Sequence, residues 1–145
     1  MNLLSPKGFL QVGGAVLVLV AILGYAGIIG PDADSSMFGS LWYFDGAENI
    51  AHLVLGVVAL AAAFLLKDMK MQKMLVMLVG ILGILVGLYS VIGPVTEGSN
   101  LLGAQLQNPT DTLLHFVVGA WALWASMKKV GMMTSPMSST PPKQW

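Results

Sequence analysis

The chain has 145 residues, of which 56% are hydrophobic and 10% are charged, whereas an average globular protein has about 25% charged residues. A single domain of this size cannot hide so much apolar surface from water, so the composition predicts a membrane protein. Seven lysines balance seven acidic residues, without arginine or cysteine, which excludes a nucleic-acid footprint, disulfides, thiolate nucleophiles and cysteine metal sites.

The first predicted helix covers residues 9–30, which include no charged side chain. A helix of that length measures about 33 Å and crosses a hydrocarbon core of roughly 30 Å. Residues 1–8 precede it as a short cytoplasmic N-terminus, and Gly30-Pro31 is predicted to end it. A cleaved signal peptide is the alternative. The apolar run is long for that role, and a related run recurs in mid-chain, where no signal peptide can lie.

The second predicted helix completes a hairpin that extends over residues 9–66. An acidic loop precedes this helix and ends in Trp42-Tyr43-Phe44, and such aromatic residues favour the membrane–water boundary. Asp45 in the N-cap position with Glu48 three residues later has the spacing of a capping box. Residues 67–73 carry three lysines and are predicted to be a basic cytoplasmic link.

A second hairpin is predicted over residues 74–129. Its first helix is uncharged and closes with Gly93-Pro94. Its second helix begins with Asn108 as the N-cap and Pro109 in the first helical position, and Asp111 lies three residues after the cap. Residues 130–145, rich in proline, serine and threonine, are predicted to be a disordered cytoplasmic tail.

Lysines and acidic residues fall on opposite sides of these four spans. Every lysine lies on one side, together with Asp68, and the other acidic residues lie on the opposite side. The positive-inside rule therefore predicts that both termini are cytoplasmic in a multi-pass protein of the cell membrane. Its predicted partners are the lipid bilayer and other membrane subunits or further copies of the chain, and not nucleic acid.

The sequence also matches itself when it is shifted by 63 residues. The matching residues are Gly24 and Gly87, Gly30-Pro31 and Gly93-Pro94, Asp45 and Asn108, Glu48 and Asp111, His52 and His115, and Gly56 and Gly119. Each copy is a hairpin with two spans, so both copies have one orientation and are related by an axis along the membrane normal. The predicted fold is an all-α, up-down-up-down bundle of two tandem parallel hairpins.

Three motifs carry a resemblance to a known family: Trp42-Tyr43-Phe44, Asn49-x-x-His52-x-x-x-Gly56 and Asp111-x-x-x-His115-x-x-x-Gly119. On these motifs the chain resembles the DUF4383 family of small bacterial and archaeal four-helix membrane proteins. The resemblance covers residues 9–127, and this chain has Thr112 where the family often has a second asparagine. It implies the four-helix architecture and, because the family is uncharacterised, no activity or cofactor.

His52 and His115, the only histidines, are the candidate functional residues. Each is the seventh residue of its predicted helix, roughly 9–10 Å from the outer end, and ionisable residues within membrane spans are costly. In the structural interpretation, each imidazole bonds a loop carbonyl or the neighbouring hairpin and ties the helix starts together.

Two other interpretations of the histidine pair remain open. In the first, both histidines bind a haem b iron or another metal, with Glu48 and Asp111 one turn above them. In the second, the pair belongs to a proton or small-solute path, although no charge lies deeper in the bundle to continue it. No Ser/His/Asp arrangement supports catalysis. We expect a non-enzymatic, structural or accessory membrane protein, with a bis-histidine redox protein as the alternative.

Overall fold

A computed structural model describes residues 2–92, 99–106 and 109–128. The elements in chain order are α1 (Pro6–Tyr25), a 3-10 helix (Gly39–Leu41), α2 (Gly46–Leu65), α3 (Met69–Ile92), β1 (Ser99–Leu101), β2 (Ala104–Leu106) and α4 (Thr110–Met127). The predicted helical class is confirmed, and α1, α2 and α3 are long and apolar enough to cross a membrane. The two short strands, which pair antiparallel, were not predicted.

The first helix begins and ends earlier than predicted. The Ser5 side chain accepts a hydrogen bond from the Gly8 amide at 3.1 Å, so it caps the helix start three residues before the predicted one. At the other end Gly27 has a φ of +72°, and the amides of Gly27 and Ile28 bond back to Gly24 and Leu23. This is a Schellman ending, and it stops the helix before Gly30-Pro31.

The third helix also begins earlier than predicted, so most of the predicted link 67–73 is helical. Asp68 accepts a hydrogen bond from the amide of Lys70 at 2.8 Å, as an N-cap residue does. The buried Gln72 side chain donates to the carbonyl of Leu66 at 2.6 Å and holds the tight turn closed. The lysines of the predicted link therefore lie beside or on the first turns of α3.

The helices pack as two pairs, α1 with α2 and α3 with α4, and α1 also contacts α3 and α4. One apolar core joins the pairs, and it contains Phe9, Leu10, Ala62, Ala63, Val76, Ala122 and Ala125. These residues come from the beginnings of α1 and α3 and the ends of α2 and α4. We call this the lysine end of the bundle, because Lys7, Lys67, Lys70, Lys73 and Lys128 flank the same helix termini.

An aromatic contact strengthens the lysine end. The rings of Phe9 and Trp121 meet edge to face with their centroids 4.6 Å apart, and the Trp121 indole donates to the carbonyl of Leu3 at 2.9 Å. The N-terminal segment is thereby tied to the last turns of α4. The opposite end, where α2 and α4 begin beneath loop 26–45 and the β1–β2 hairpin, is the acidic end.

Glycines set the close approach within each helix pair. A methyl group at Gly56 would lie 2.8 Å from the carbonyl oxygen of Gly14, and one at Gly119 would lie 3.1 Å from that of Gly80. In lipid, where no hydrophobic drive joins helices, such close backbone contact supplies much of the packing energy. In the 63-residue alignment Gly80 corresponds to Leu17 rather than Gly14. The glycine contact of the second pair is therefore displaced by about one helical turn along α3, relative to that of the first pair along α1.

Candidate functional site at the acidic end

The start of α2 is built by the predicted capping box. One carboxylate oxygen of Asp45 accepts from the Glu48 amide at 2.9 Å, and the Glu48 carboxylate accepts from the Asp45 amide at 3.0 Å. The second oxygen of Asp45 accepts from the backbone amide of Gln105 at 2.7 Å. Asp45 therefore both caps α2 and binds the strand that precedes α4.

The start of α4 differs in detail from its prediction. Asn108, the predicted cap, lies outside the described residues, and the helix begins at Thr110. Pro109, predicted as the first helical residue, directly precedes the helix and provides no side-chain cap. The Thr110 hydroxyl instead donates to the carbonyl of Leu41 at 2.8 Å, a second bond between the two hairpins. His115 is consequently the sixth residue of its helix.

Both histidines make the same hydrogen bond. Nδ1 of His52 lies 2.7 Å from the carbonyl oxygen of Glu48, and Nδ1 of His115 lies 2.7 Å from that of Asp111. A carbonyl only accepts, so Nδ1 carries the proton and Nε2 is the basic nitrogen of the neutral ring. This partner is the carbonyl one turn earlier in the same helix, whereas the sequence suggested a loop carbonyl or the neighbouring hairpin.

His52 reaches the loop through its ring instead. It stacks on Phe44 with the centroids 4.6 Å apart and the planes 28° from parallel. Phe44 in turn meets Trp42 edge to face at 5.3 Å, and Phe38 lies 5.3 Å beyond Trp42. A column of aromatic rings thus covers the histidine, and two of its rings, Trp42 and Phe44, belong to the aromatic cluster seen in the sequence. The ring, rather than a hydrogen bond, connects this histidine to the loop.

Asn49 is the polar contact within the first helix pair. Its side chain is fully buried, and its amide donates to the carbonyl of Phe44 at 3.3 Å. The amide lies against Gly24, where an added methyl group would be 2.5 Å from the side-chain Cγ of Asn49 and would overlap its oxygen. Only glycine leaves room for this amide. Through its contacts with Gly24 and Phe44, Asn49 on α2 is connected to α1 and to the loop between the two helices.

Thr112 has the corresponding role in the second pair. Its hydroxyl shares a short hydrogen bond with the hydroxyl of Ser90 on α3, and Ser90 also donates to the carbonyl of Gly87 at 2.9 Å. Thr112 occupies the repeat position of Asn49, and Ser90 lies one turn beyond the repeat position of Gly24. The Thr112 side chain is shorter than that of Asn49, and it contacts the Ser90 hydroxyl, whereas Asn49 contacts Gly24. The hydrogen bond between Ser90 and Thr112 was not predicted, because the two residues lie on different helices.

The two acidic residues of the repeat are both buried at the acidic end: Glu48 is 3% exposed and Asp111 is 2% exposed. Within residues 2–92, 99–106 and 109–128, no three histidine, cysteine or acidic side chains are grouped to hold a metal ion. The acidic end is a layer of buried polar side chains.

Loop 26–45 covers this layer. The Ser36 hydroxyl donates to the carbonyl of Trp42 at 2.6 Å, and the Tyr43 hydroxyl donates to the side-chain oxygen of Gln105 at 3.2 Å. At its exposed edge, hydrogen bonds from the side chain and the backbone amide of Ser35 hold the pKa of Asp32 below its usual value. The loop is an ordered cover that reaches both hairpins.

No protein-family model, curated protein or solved structure matches this chain. Membership of the DUF4383 family therefore stays a prediction from the three motifs, and the site is interpreted from its own geometry.

Proposed function

We propose that this protein is a non-enzymatic, structural or accessory component of the cell membrane and a subunit of a larger membrane assembly. In this proposal all four helices span the bilayer, the hairpins are tandem copies, and both termini are cytoplasmic. The observation that carries the proposal is that the polar side chains of the acidic end bond one element of the protein to another.

In the described part of the chain, hydrogen bonds join the two hairpins at the acidic end. They connect Asp45 and Tyr43 to Gln105, and Thr110 to Leu41, and each links residues about 60 or more positions apart. Together with the contacts of Asn49 and Thr112, these hydrogen bonds hold the helices and loops of the acidic end together. Such bonds define one bundle geometry, which lipid alone does not, because lipid tails are as apolar as the helix surfaces.

The surface of α3 supports the same proposal. It carries an open groove lined by Met74, Leu75, Met77, Leu78 and Ile81. Such a lining suits acyl chains or another apolar helix, and it offers no polar group to orient a substrate. The lysines at one end and the acidic residues at the other support the proposed orientation.

Complementation tests this proposal. A strain without the protein should lose a membrane complex on native gels, and both wild type and the double variant His52→Gln/His115→Gln should restore it. Glutamine keeps a donor and an acceptor but is not a haem ligand in this setting. If the double variant inserts and unfolds like wild type yet restores nothing, the structural proposal is wrong.

A bis-histidine cofactor protein is the second candidate, and one observation favours it. Each Nδ1–H is bound to a carbonyl, which is how ligating histidines are usually oriented with Nε2 free to bind a metal. His52 and His115 would hold a haem iron from two helices, and the haem would supply one-electron chemistry. Protein purified from haem-replete cells should then show a haem absorption band that is absent in His52→Ala and His115→Ala. A colourless, metal-free wild type would contradict this candidate.

A further inference from the structure

The tip of the β1–β2 hairpin has an unusual residue. Leu102 and Gly103 form the two-residue turn, with φ of +55° and +95°, after the last strand pair Leu101 and Ala104. Turns with positive φ at both central positions favour Asn-Gly, and a leucine is disfavoured there. The Leu102 side chain is also 99% exposed. Both the backbone and an aqueous environment therefore disfavour leucine at this position.

The tip lies over the first turn of α2. A methyl group at Gly103 would be 3.8 Å from the Cβ of Ala47, and β2 packs against α2. Ala47, Ile50 and Val54 lie on one face of that helix by their spacing, and Ile50 and Val54 are 58% and 54% exposed. The hairpin tip that carries Leu102 therefore lies beside the outer end of an exposed apolar stripe of α2.

We propose that Leu102 inserts into the lipid leaflet at the acidic end and anchors the β-hairpin on the acyl chains that surround α2. The stripe belongs to a helix long and apolar enough to cross a membrane, so in the proposed placement of α2 lipid covers the surface beside the hairpin tip. The neighbouring Tyr43, bonded to Gln105 of the same hairpin, is of the type that marks the membrane boundary. The inference rests on the proposed membrane placement of α2.

Site-directed spin labelling tests this anchor, and the absence of cysteine from the chain makes single-cysteine variants simple. Leu102→Cys is labelled in vesicles of phosphatidylcholine and phosphatidylglycerol, with Val54→Cys as the lipid reference and Asp34→Cys as the water reference. The label at 102 should be relaxed more by oxygen than by a water-soluble nickel chelate, as at 54. The pattern of position 34 overturns the proposal, and so does protection from both reagents, which indicates a protein partner.

The label at position 54 tests the membrane placement of α2, and a second variant at position 102 tests the anchor itself. If the label at 54 itself is relaxed mainly by the nickel chelate, the membrane placement of α2 fails, and with it the proposed function. Leu102→Asn suits the turn better than leucine but removes the apolar side chain. In vesicles, amide exchange of residues 102–106 should be faster in this variant than in wild type. Equal or slower exchange overturns the anchor.

Discussion

Gly24→Ala should be among the most damaging small substitutions in the bundle. Its methyl group would lie 2.5 Å from Cγ of Asn49 and overlap the amide oxygen, so the buried Asn49 side chain must move. Overpacking of this kind costs about 1–3 kcal/mol, and loss of the bond to the Phe44 carbonyl adds about 1 kcal/mol. We therefore expect Gly24→Ala to lower the free energy of unfolding by about 2–4 kcal/mol.

Thermal unfolding of detergent-solubilised protein, followed by tryptophan fluorescence, measures this effect. At about 3 °C per kcal/mol for a chain of this size, the Tm should fall by roughly 6–12 °C. Gly13→Ala is the matched control, because a methyl group there meets only the Phe9 ring, at 3.8 Å. Alanine at position 13 should be neutral or stabilise by up to about 1 kcal/mol.

A double-mutant cycle identifies the cause of the Gly24 effect. In an Asn49→Ala background the methyl group has room, so Gly24→Ala should cost at least about 1 kcal/mol less than it does in wild type. The reasoning is refuted if Gly24→Ala unfolds like Gly13→Ala. It is also refuted if the cost is the same with and without the Asn49 side chain.

Three further predictions concern the ends of the bundle. In topology, a cysteine at Asp34 should react with an impermeant maleimide in intact cells, and one at Lys70 should react only after permeabilisation; the reverse pattern contradicts the orientation. Asp45→Ala, which removes a cap and the bond to Gln105, should destabilise by about 1–3 kcal/mol in the same melts, while Asp34→Ala changes little. His52→Ala removes the hydrogen bond to the Glu48 carbonyl and the stacking on Phe44 and should cost about 1–3 kcal/mol; a loss above about 4 kcal/mol would point to a larger role.

Signals within a few residues of each other were readable from the sequence. The capping box of Asp45 and Glu48 placed the start of α2 correctly, because both partners lie in one helical turn and need no other element. The helix termini that the prediction misplaced also depend on local signals, as two of them show. The Schellman turn at Gly27 ends α1 before Gly30-Pro31, and Asp68 caps α3 within the lysine-rich stretch. In both cases a second valid signal competed with the one chosen.

The tertiary structure alone decided which side chains meet. The positions of His52 and His115 were evident, but the choice of the carbonyl one turn back over a loop partner depends on ring placement. Asn49 on Gly24, Thr112 with Ser90 and the Asp45 bond to Gln105 all depend on the rotation and register of two elements. In a soluble protein, the apolar stripe of a helix identifies the face that packs against the core. These helices are apolar all round, so a hydrophobic pattern cannot select the contacting face, and glycine fit and buried hydrogen bonds select it instead.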